Sequence, residues 1–574
     1  MGLYLRSRMP KANRLLLFFI LAAFLLLPGH ALAGPSAQDT SPRLYWIIGK
    51  LLDPQGQPIV EAHIQTMAAG SDQPLASTDS LEDGSWILTL PDIPAQQLEI
   101  DISHPHFSPY QLQFSPSEQD LLSQTGLYHT PDLTMNRRIT VGFWAATIIF
   151  LAMLLLIAFE RLHSTTAALA GFSAIFLITY GLGAFNPDFF IFSFERGLSY
   201  INWEVIFLVM GMMIIIAIIE GTGIFQWLAF QAYRLSSGRN WLLVLILMGI
   251  TALASALLDN FTTMLLMTPI SLQIGLAVGI NPLALIIPEV LASNVGGIST
   301  LVGTPTNILI GAYAGIGFTD FLKNQTAGVL IALVAMGAFV LYFYRKELHK
   351  HGRGISPRLY QKLEENARLE DPGSLWKAGL VFLVVLVGFI IGERVHMVPA
   401  VPAMTGATIL LVWLRPDVYK MIKAVDWTTL VFFMALFVVV GAIQEVGLIS
   451  VLATAMSRLI GENLVLGVFV VVFGVGTISA FIANIPLAAS MLPIIKYLTT
   501  TIPGAHSLVL YYALSMGAAM GGNALLISGE ANLVTAGITA QTDSPITFKS
   551  FMKIGVPVTY ITLLIGFLWL LIHF

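Results

Sequence analysis

Inside strongly apolar sequence one polar pattern occurs twice. Leu258-Asp259-Asn260-Phe261-Thr262-Thr263 runs on to Pro269, and Ile482-Ala483-Asn484-Ile485-Pro486 runs on to Pro493. The offset is 224 residues for both the asparagines (484 − 260) and the prolines (493 − 269), and Asn202-Trp203 against Asp426-Trp427 and Gly223 against Gly447 keep it. Downstream, Val295-Gly296-Gly297 through Gly303-Thr304-Pro305-Thr306-Asn307 meets Met520-Gly521-Gly522 through Ser528-Gly529-Glu530-Ala531-Asn532 at 225, one residue of slippage. Such a chain is two copies of one unit. Duplicated apolar units with polar, Gly-rich interruptions point to a secondary transporter and to its binding site.

The composition agrees. With 56% hydrophobic and 11% charged residues over 574 positions, and a mean hydropathy of +0.79, the chain reads as a polytopic membrane protein and not a soluble enzyme. A net charge of −4 gives no electrostatic basis for binding nucleic acid. The absence of cysteine removes disulfide and thiol chemistry from consideration.

The N-terminus reads as an export signal. Arg6, Arg8, Lys11 and Arg14 precede the apolar run 15–27, and Ala31-Leu32-Ala33 supplies an A-x-A cleavage site, so 1–33 is predicted to be a signal peptide. An uncleaved signal anchor is the alternative. Residues 34–138 have soluble composition, with short strands at 44–52, 59–67, 86–90, 98–103 and 110–114 between Gly, Pro and Asp turns, which predicts a small exported β-sandwich. His63, His104, His106 and His129 have no tetrahedral ligand spacing, and the domain shows no catalytic constellation, so neither a metal site nor an enzyme is expected.

From Val141 the chain becomes membrane, giving repeat 1 at 139–344, a cytoplasmic linker at 345–377 with eight Lys or Arg, and repeat 2 at 378–574. Taking 240–258 with 260–278, and 463–500 around Asn484, as re-entrant hairpins leaves five spans per repeat. The fold class is then a polytopic α-helical membrane protein of two inverted repeats, each of five spans plus one re-entrant hairpin, behind the exported sandwich. This count puts sixteen basic residues inside and seven outside, the expected bias. Hairpin arms that cross fully would make the repeats parallel instead.

An ionisable group at membrane depth costs several kcal/mol unless it faces protein or water, so each is a functional candidate. Between 240 and 319 these are Asp259 and Glu289; between 463 and 542 they are Lys496 and Glu530, and Lys496 falls at a hairpin end. A chain that reverses inside the bilayer leaves backbone groups free to line a wet cavity or bind an ion. Carboxylate, amide and hydroxyl oxygens there suit a hard cation such as Na⁺. The expected repeat 1 cation site is Asp259, Asn260, Thr262 and Thr263 with Gly303, Thr304, Thr306 and Asn307. The expected repeat 2 cation or substrate site is Asn484 and Pro486 with Asn523, Ser528, Glu530 and Asn532. Asp259 and Glu289 are the candidates for coupling to H⁺ in place of Na⁺. No cofactor or resident metal is called for.

Asn202-Trp203-Glu204, Leu258 to Thr263, Pro288-Glu289-Val290 and Gly303-Thr304-Pro305-Thr306-Asn307 resemble the ion transporter superfamily, in its arsenite permease and melanosomal P protein branch with a citrate-transporter-like domain. The likeness covers about 140–574. It implies inverted repeats, re-entrant hairpins, an elevator-like movement and a homodimer. Two departures stand out: Ala483 replaces the Asp usual before Asn484-Ile485-Pro486, and Glu530 stands where a small polar residue is usual. Residues 44–58 and 82–86 resemble a carboxypeptidase-regulatory-like (transthyretin-like) domain. The functional expectation is a Na⁺- or H⁺-coupled permease for a small anionic solute such as a di- or tricarboxylate or arsenite, in a bacterial inner membrane. The alternatives are a Na⁺/H⁺ antiporter and, from another class, a membrane-anchored sensor or binding protein.

Overall fold

The computed structural model describes residues 44–54, 56–70, 73–159, 161–349, 360–361, 364–365 and 367–574. The expected signal peptide and part of the 345–377 linker lie outside them. The chain divides into two compact units, one drawn from residues up to Thr134 and one containing Asp53–Gln57, Ser103–Pro109 and Met135–Phe574.

The first unit is a β region of two four-stranded sheets. In one, β1 (Tyr45–Leu52) lies between β4 (Ser85–Leu90) and β7 (Leu127–His129), with β8 (Leu133–Thr134) also on β1. The other runs β3 (Pro74–Asp79), β2 (His63–Ala68), β5 (Leu98–His104), β6 (Phe107–Gln113). Alternation decides the faces: Ile47, Leu51, Trp86, Leu88 and Leu90 point inward and are fully buried. Sequence patterning overlooked β3, whose Ser77, Thr78 and Asp79 carry no apolar alternation, and helix α1 (Pro116–Thr125), which a Ser115–Glu118 capping box starts.

Among the described residues, nine helices are long and apolar enough to cross a membrane. Apart from the short α-helices Phe194–Ser199, Arg345–Leu348, Val418–Ala424 and Gly476–Ser479, the described residues of the second unit fall into two runs of nine α-helices. The first is α2 (Val141–Ala158), α3 (Ser164–Leu177), α4 (Trp203–Glu220), α5 (Ile224–Ser236), α6 (Asn240–Leu257), α7 (Asn260–Val278), α8 (Leu283–Gly296), α9 (Pro305–Ala314) and α10 (Phe318–Phe343). The second is α11 (Pro372–Gly392), α12 (Ala400–Leu414), α13 (Trp427–Glu445), α14 (Leu448–Ile460), α15 (Leu464–Phe469), α16 (Asn484–Thr501), α17 (Val509–Gly521), α18 (Glu530–Thr539) and α19 (Phe548–His573). α15 continues as a π-helical stretch, Val470–Val475, to Ser479. The starts of α4 and α13, α5 and α14, and α7 and α16 keep the 224-residue offset of the sequence.

Local chemistry repeats with the offset. Gly223 and Gly447 precede α5 and α14 at φ 79° and 94°, a backbone that side chains other than glycine's rarely adopt. A Cβ on Gly296 would meet Ala252 O at 2.5 Å, and a Cβ on Gly521 would meet Gly476 O, so α8 packs against α6 as α17 packs against the α15 segment. Ser255 Oγ donates to Ser293 O at 2.8 Å and Ser479 Oγ to Ala518 O at 2.7 Å, the same bond in both copies. Within the uninterrupted apolar stretch 290–319, the structure ends α8 at Gly296 and begins α9 only at Pro305.

Candidate functional site

Leu258, at φ −108° and ψ −107°, ends α6, and Asp259 in extended backbone starts α7. The Asp259 carboxylate accepts from Thr262 N at 2.7 Å, so it neutralises free N–H groups at the helix start. Asp426 does the same for α13, accepting from the N–H groups of Thr428 and Thr429. Glu530 is the first residue of α18.

These three helix starts meet at one place. A cavity of about 140 Å³ is lined by Asp259, Asp426 and Glu530, by Glu220 at the end of α4, by Thr262 and Thr429, and by apolar side chains that include Met212, Met213 and Phe261. Among the described residues, no Lys, Arg or His lines it. A second cavity, of about 650 Å³, shares Phe261, Asp426, Thr429 and Glu530 and adds Ala483 and His163. The position matching Asp259 in the second copy, Ala483, thus lines the larger cavity and not the smaller one, and brings no carboxylate.

Behind the cavity lies a web of amides. Asn260 Nδ2 donates to Asn294 Oδ1 at 2.9 Å, and Asn294 Nδ2 donates to Asn523 Oδ1 at 2.8 Å and Asn532 Oδ1 at 3.0 Å. Asn307 Nδ2 donates to Ile298 O and Thr300 O, while Asn532 Nδ2 donates to Gly522 O and Leu525 O. Each asparagine closes the loop that interrupts its own copy's broken helix. Each then accepts from the other copy, Asn307 Oδ1 from Ser515 Oγ at 2.6 Å and Asn532 Oδ1 from Asn294.

The expected site residues therefore separate by role. Asp259, Thr262 and Glu530 line the smaller cavity. Asn260, Asn523 and Asn532 meet in the buried web around Asn294, and Asn307 is buried apart from it against its own loop and Ser515. Ser528 Oγ donates to Gly522 O and Leu525 O, and Thr304 accepts from Asn307 N, so both shape loops. Gly303 is packed so closely that a Cβ would meet Gly297 O. Asn484 and Pro486 are buried in the first turn of α16. The Thr263 and Thr306 hydroxyls are buried with no hydrogen-bond partner among the described residues. Glu289 is fully buried away from the cavity, its Oε2 accepting from Ser271 Oγ at 2.9 Å and Thr251 Oγ1 at 3.5 Å. Sequence reasoning missed Asp426 as a site residue, although its pairing with Asn202 at the 224-residue offset had already marked a carboxylate present in one copy only.

Residues 154–517 match the citrate transporter family. The chain belongs to that family. The chain is 37% identical over 429 residues to the 46 kDa membrane protein of Mycobacterium leprae, covering 74% of this chain and 98% of that one. It is 35% identical over 428 residues to an uncharacterised transporter of Mycobacterium tuberculosis, with the same coverage. The human P protein is 30% identical over 505 residues, covering 74% of this chain and 59% of its own length. This citrate transporter family member is accordingly a multi-pass membrane transporter and not an enzyme, and its cargo is a small molecule or ion.

Proposed function

We propose that the chain is a secondary active transporter that exchanges a cation, Na⁺ being the first choice, for H⁺ through the carboxylate-lined cavity. One observation carries this reading: Asp259, Asp426 and Glu530 share a small space with no basic side chain. Carboxylates crowded in a low-dielectric site repel one another, so cations or protons must occupy it together with them. Exchange of one for the other is what such a site does most readily.

A cation-coupled permease for a small anion is the second reading. It is favoured by the starts of α7, α13 and α18 converging on the cavity, since helix N-termini attract anions. In the chain itself two of those ends are already capped by Asp259 and Asp426 and the third begins with the acidic Glu530, which is why it ranks second.

The same proposal takes the two runs of nine helices as inverted repeats, with α6–α7 and α15–α16 as re-entrant hairpins and α5 and α14 as short helices outside the five spans. It places the β region, read as a transthyretin-like domain, outside the cytoplasm of a bacterium and the chain in its inner membrane as a homodimer. Proteoliposomes loaded with a pH-sensitive dye test the function. A Na⁺ gradient alone should move protons, and Asp259→Asn should abolish the signal; dye response only when citrate, succinate or arsenite is added would favour the permease.

A further inference from the structure

We infer that Glu289 is a proton-binding residue of the transport cycle, seated in the first copy's hairpin behind the cavity. The inference rests on the exchange reading above and adds where a proton is held.

Glu289 sits on α8, Thr251 on α6 and Ser271 on α7, and all three are fully buried. Oε2 accepts from both hydroxyls, while Oε1 is buried with no partner among the described residues. Among the described residues no charged side chain pairs with it. The elements packed on α8 carry their ionisable groups elsewhere: Asp259 at the start of α7, Asp320 and Lys323 near the start of α10, Glu530 at the start of α18, Lys549 and Lys553 near the start of α19, Tyr560 within it and His573 at its end, and Tyr511 and Tyr512 on α17. A charged carboxylate left there would lack both water and counter-ion, and one proton removes that penalty.

The second copy supplies an internal control. At the same offsets Thr251, Ser271 and Glu289 are replaced by Val475, Ile495 and Leu514, each at most 2% exposed. The duplicated Ser255–Ser293 and Ser479–Ala518 bonds and the Gly296 and Gly521 approaches fix this register on both sides. The fold therefore closes this junction with hydrocarbon where it can. A polar triad in one copy alone is not needed for packing, and a buried carboxyl is the most expensive group that could stand there.

Polar side chains one turn on from the triad also lead toward the cavity, although among the described residues no hydrogen bond joins those side chains to the triad itself. Thr251 and Ser255 are one turn apart on α6, as are Glu289 and Ser293 on α8. Ser255 Oγ donates to Ser293 O, and Ser293 Oγ donates to Asn260 O at 3.4 Å, next to the cavity-lining Asp259. A proton from water in the cavity adds to Oε1 to form a neutral acid, and loss to the same water restores the carboxylate. No other reactant enters the balance.

The test pairs infrared spectroscopy of the purified full-length protein with transport. Wild type should show a protonated-carboxyl carbonyl band that shifts in D₂O, is lost in Glu289→Gln and is retained in Glu289→Asp. In proteoliposomes the wild-type exchange rate should vary with pH, by up to about tenfold per unit for one titrating group, and Glu289→Gln should flatten that profile while Glu289→Asp restores it. A carbonyl band and a pH profile both unchanged by Glu289→Gln would overturn the inference. If Glu289→Gln does not fold, Thr251→Val with Ser271→Ala should move the band, and an unmoved band overturns the inference equally. Wild type that moves no protons against Na⁺ defeats the exchange reading, whereas the infrared arm still decides Glu289.

Discussion

The two copies of the membrane unit keep matching helix starts and differ in what they bury. At the junction of hairpin and broken helix the first copy places Thr251, Ser271 and Glu289, and the second places Val475, Ile495 and Leu514. At the hairpin turn the first has Asp259, whose carboxylate caps α7, and the second has Ala483, which offers no side-chain cap to α16. At the start of the long helix the polarity reverses, Asn202 in the first copy and Asp426 in the second. Duplication preserved the packing and let the charges redistribute, so four carboxylates from both copies, Glu220, Asp259, Asp426 and Glu530, now face one cavity.

The largest effect expected from breaking that asymmetry is on transport. Asp426→Asn keeps a capping oxygen for α13 and removes one charge from the cavity, and should lower cation uptake into proteoliposomes about 100-fold. An unchanged rate would make Asp426 a helix cap and nothing more.

The second test makes the copies alike. Thr251→Val with Ser271→Ile and Glu289→Leu transplants the second copy's junction into the first, and should leave the protein as stable or more stable, by about 1–4 kcal/mol, in detergent unfolding. A loss of stability would mean that the polar triad is structural. The converse change is smaller: Ala483→Ser supplies the acceptor that α16 lacks and should add about 1 kcal/mol. Ala483→Asp should add less, because it shares its cavity with Glu530.

The smallest effect concerns the segment before α4. His106 Nε2 donates to Ile191 O at 2.6 Å, and its Nδ1 is buried without a partner among the described residues; burial holds the imidazole below its ordinary value of 6.5. The unfolded chain binds that proton more readily. His106 therefore contributes stability above about pH 6.5 that is lost as the pH falls through the lower folded value. The hydrogen-exchange protection around Ile191, taken relative to the intrinsic rate at each pH, should fall on acidification, and His106→Gln should reduce that dependence. The segment before α13 instead holds the helix Val418–Ala424 and should not respond.

Much of this was legible in the sequence because a repeat offset is arithmetic: Asn260 and Asn484, or Gly223 and Gly447, need no structure to be paired. The break at Asp259 was legible too, since an acid beside Asn260 within apolar sequence has few other uses. What sequence could not convey is which polar residues meet. Glu530 and Asp259 are 271 positions apart, and only the crossing of the two copies brings them to one space. Asp426 was hidden for another reason: an acid before Trp427 at the start of a helix looks like an ordinary cap, and it is one, as well as a wall of the cavity.

Asn307 and Asn532 carry a consequence for how such a molecule can be inherited. Each laces shut a loop in its own copy and is then tied to a residue of the other, Ser515 or Asn294. Neither copy is complete alone, so the two fragments of a chain cut within 345–377 should become functional only when made together. A change near either knot is felt across the duplication, and the copies can diverge in charge only while that lacing is kept.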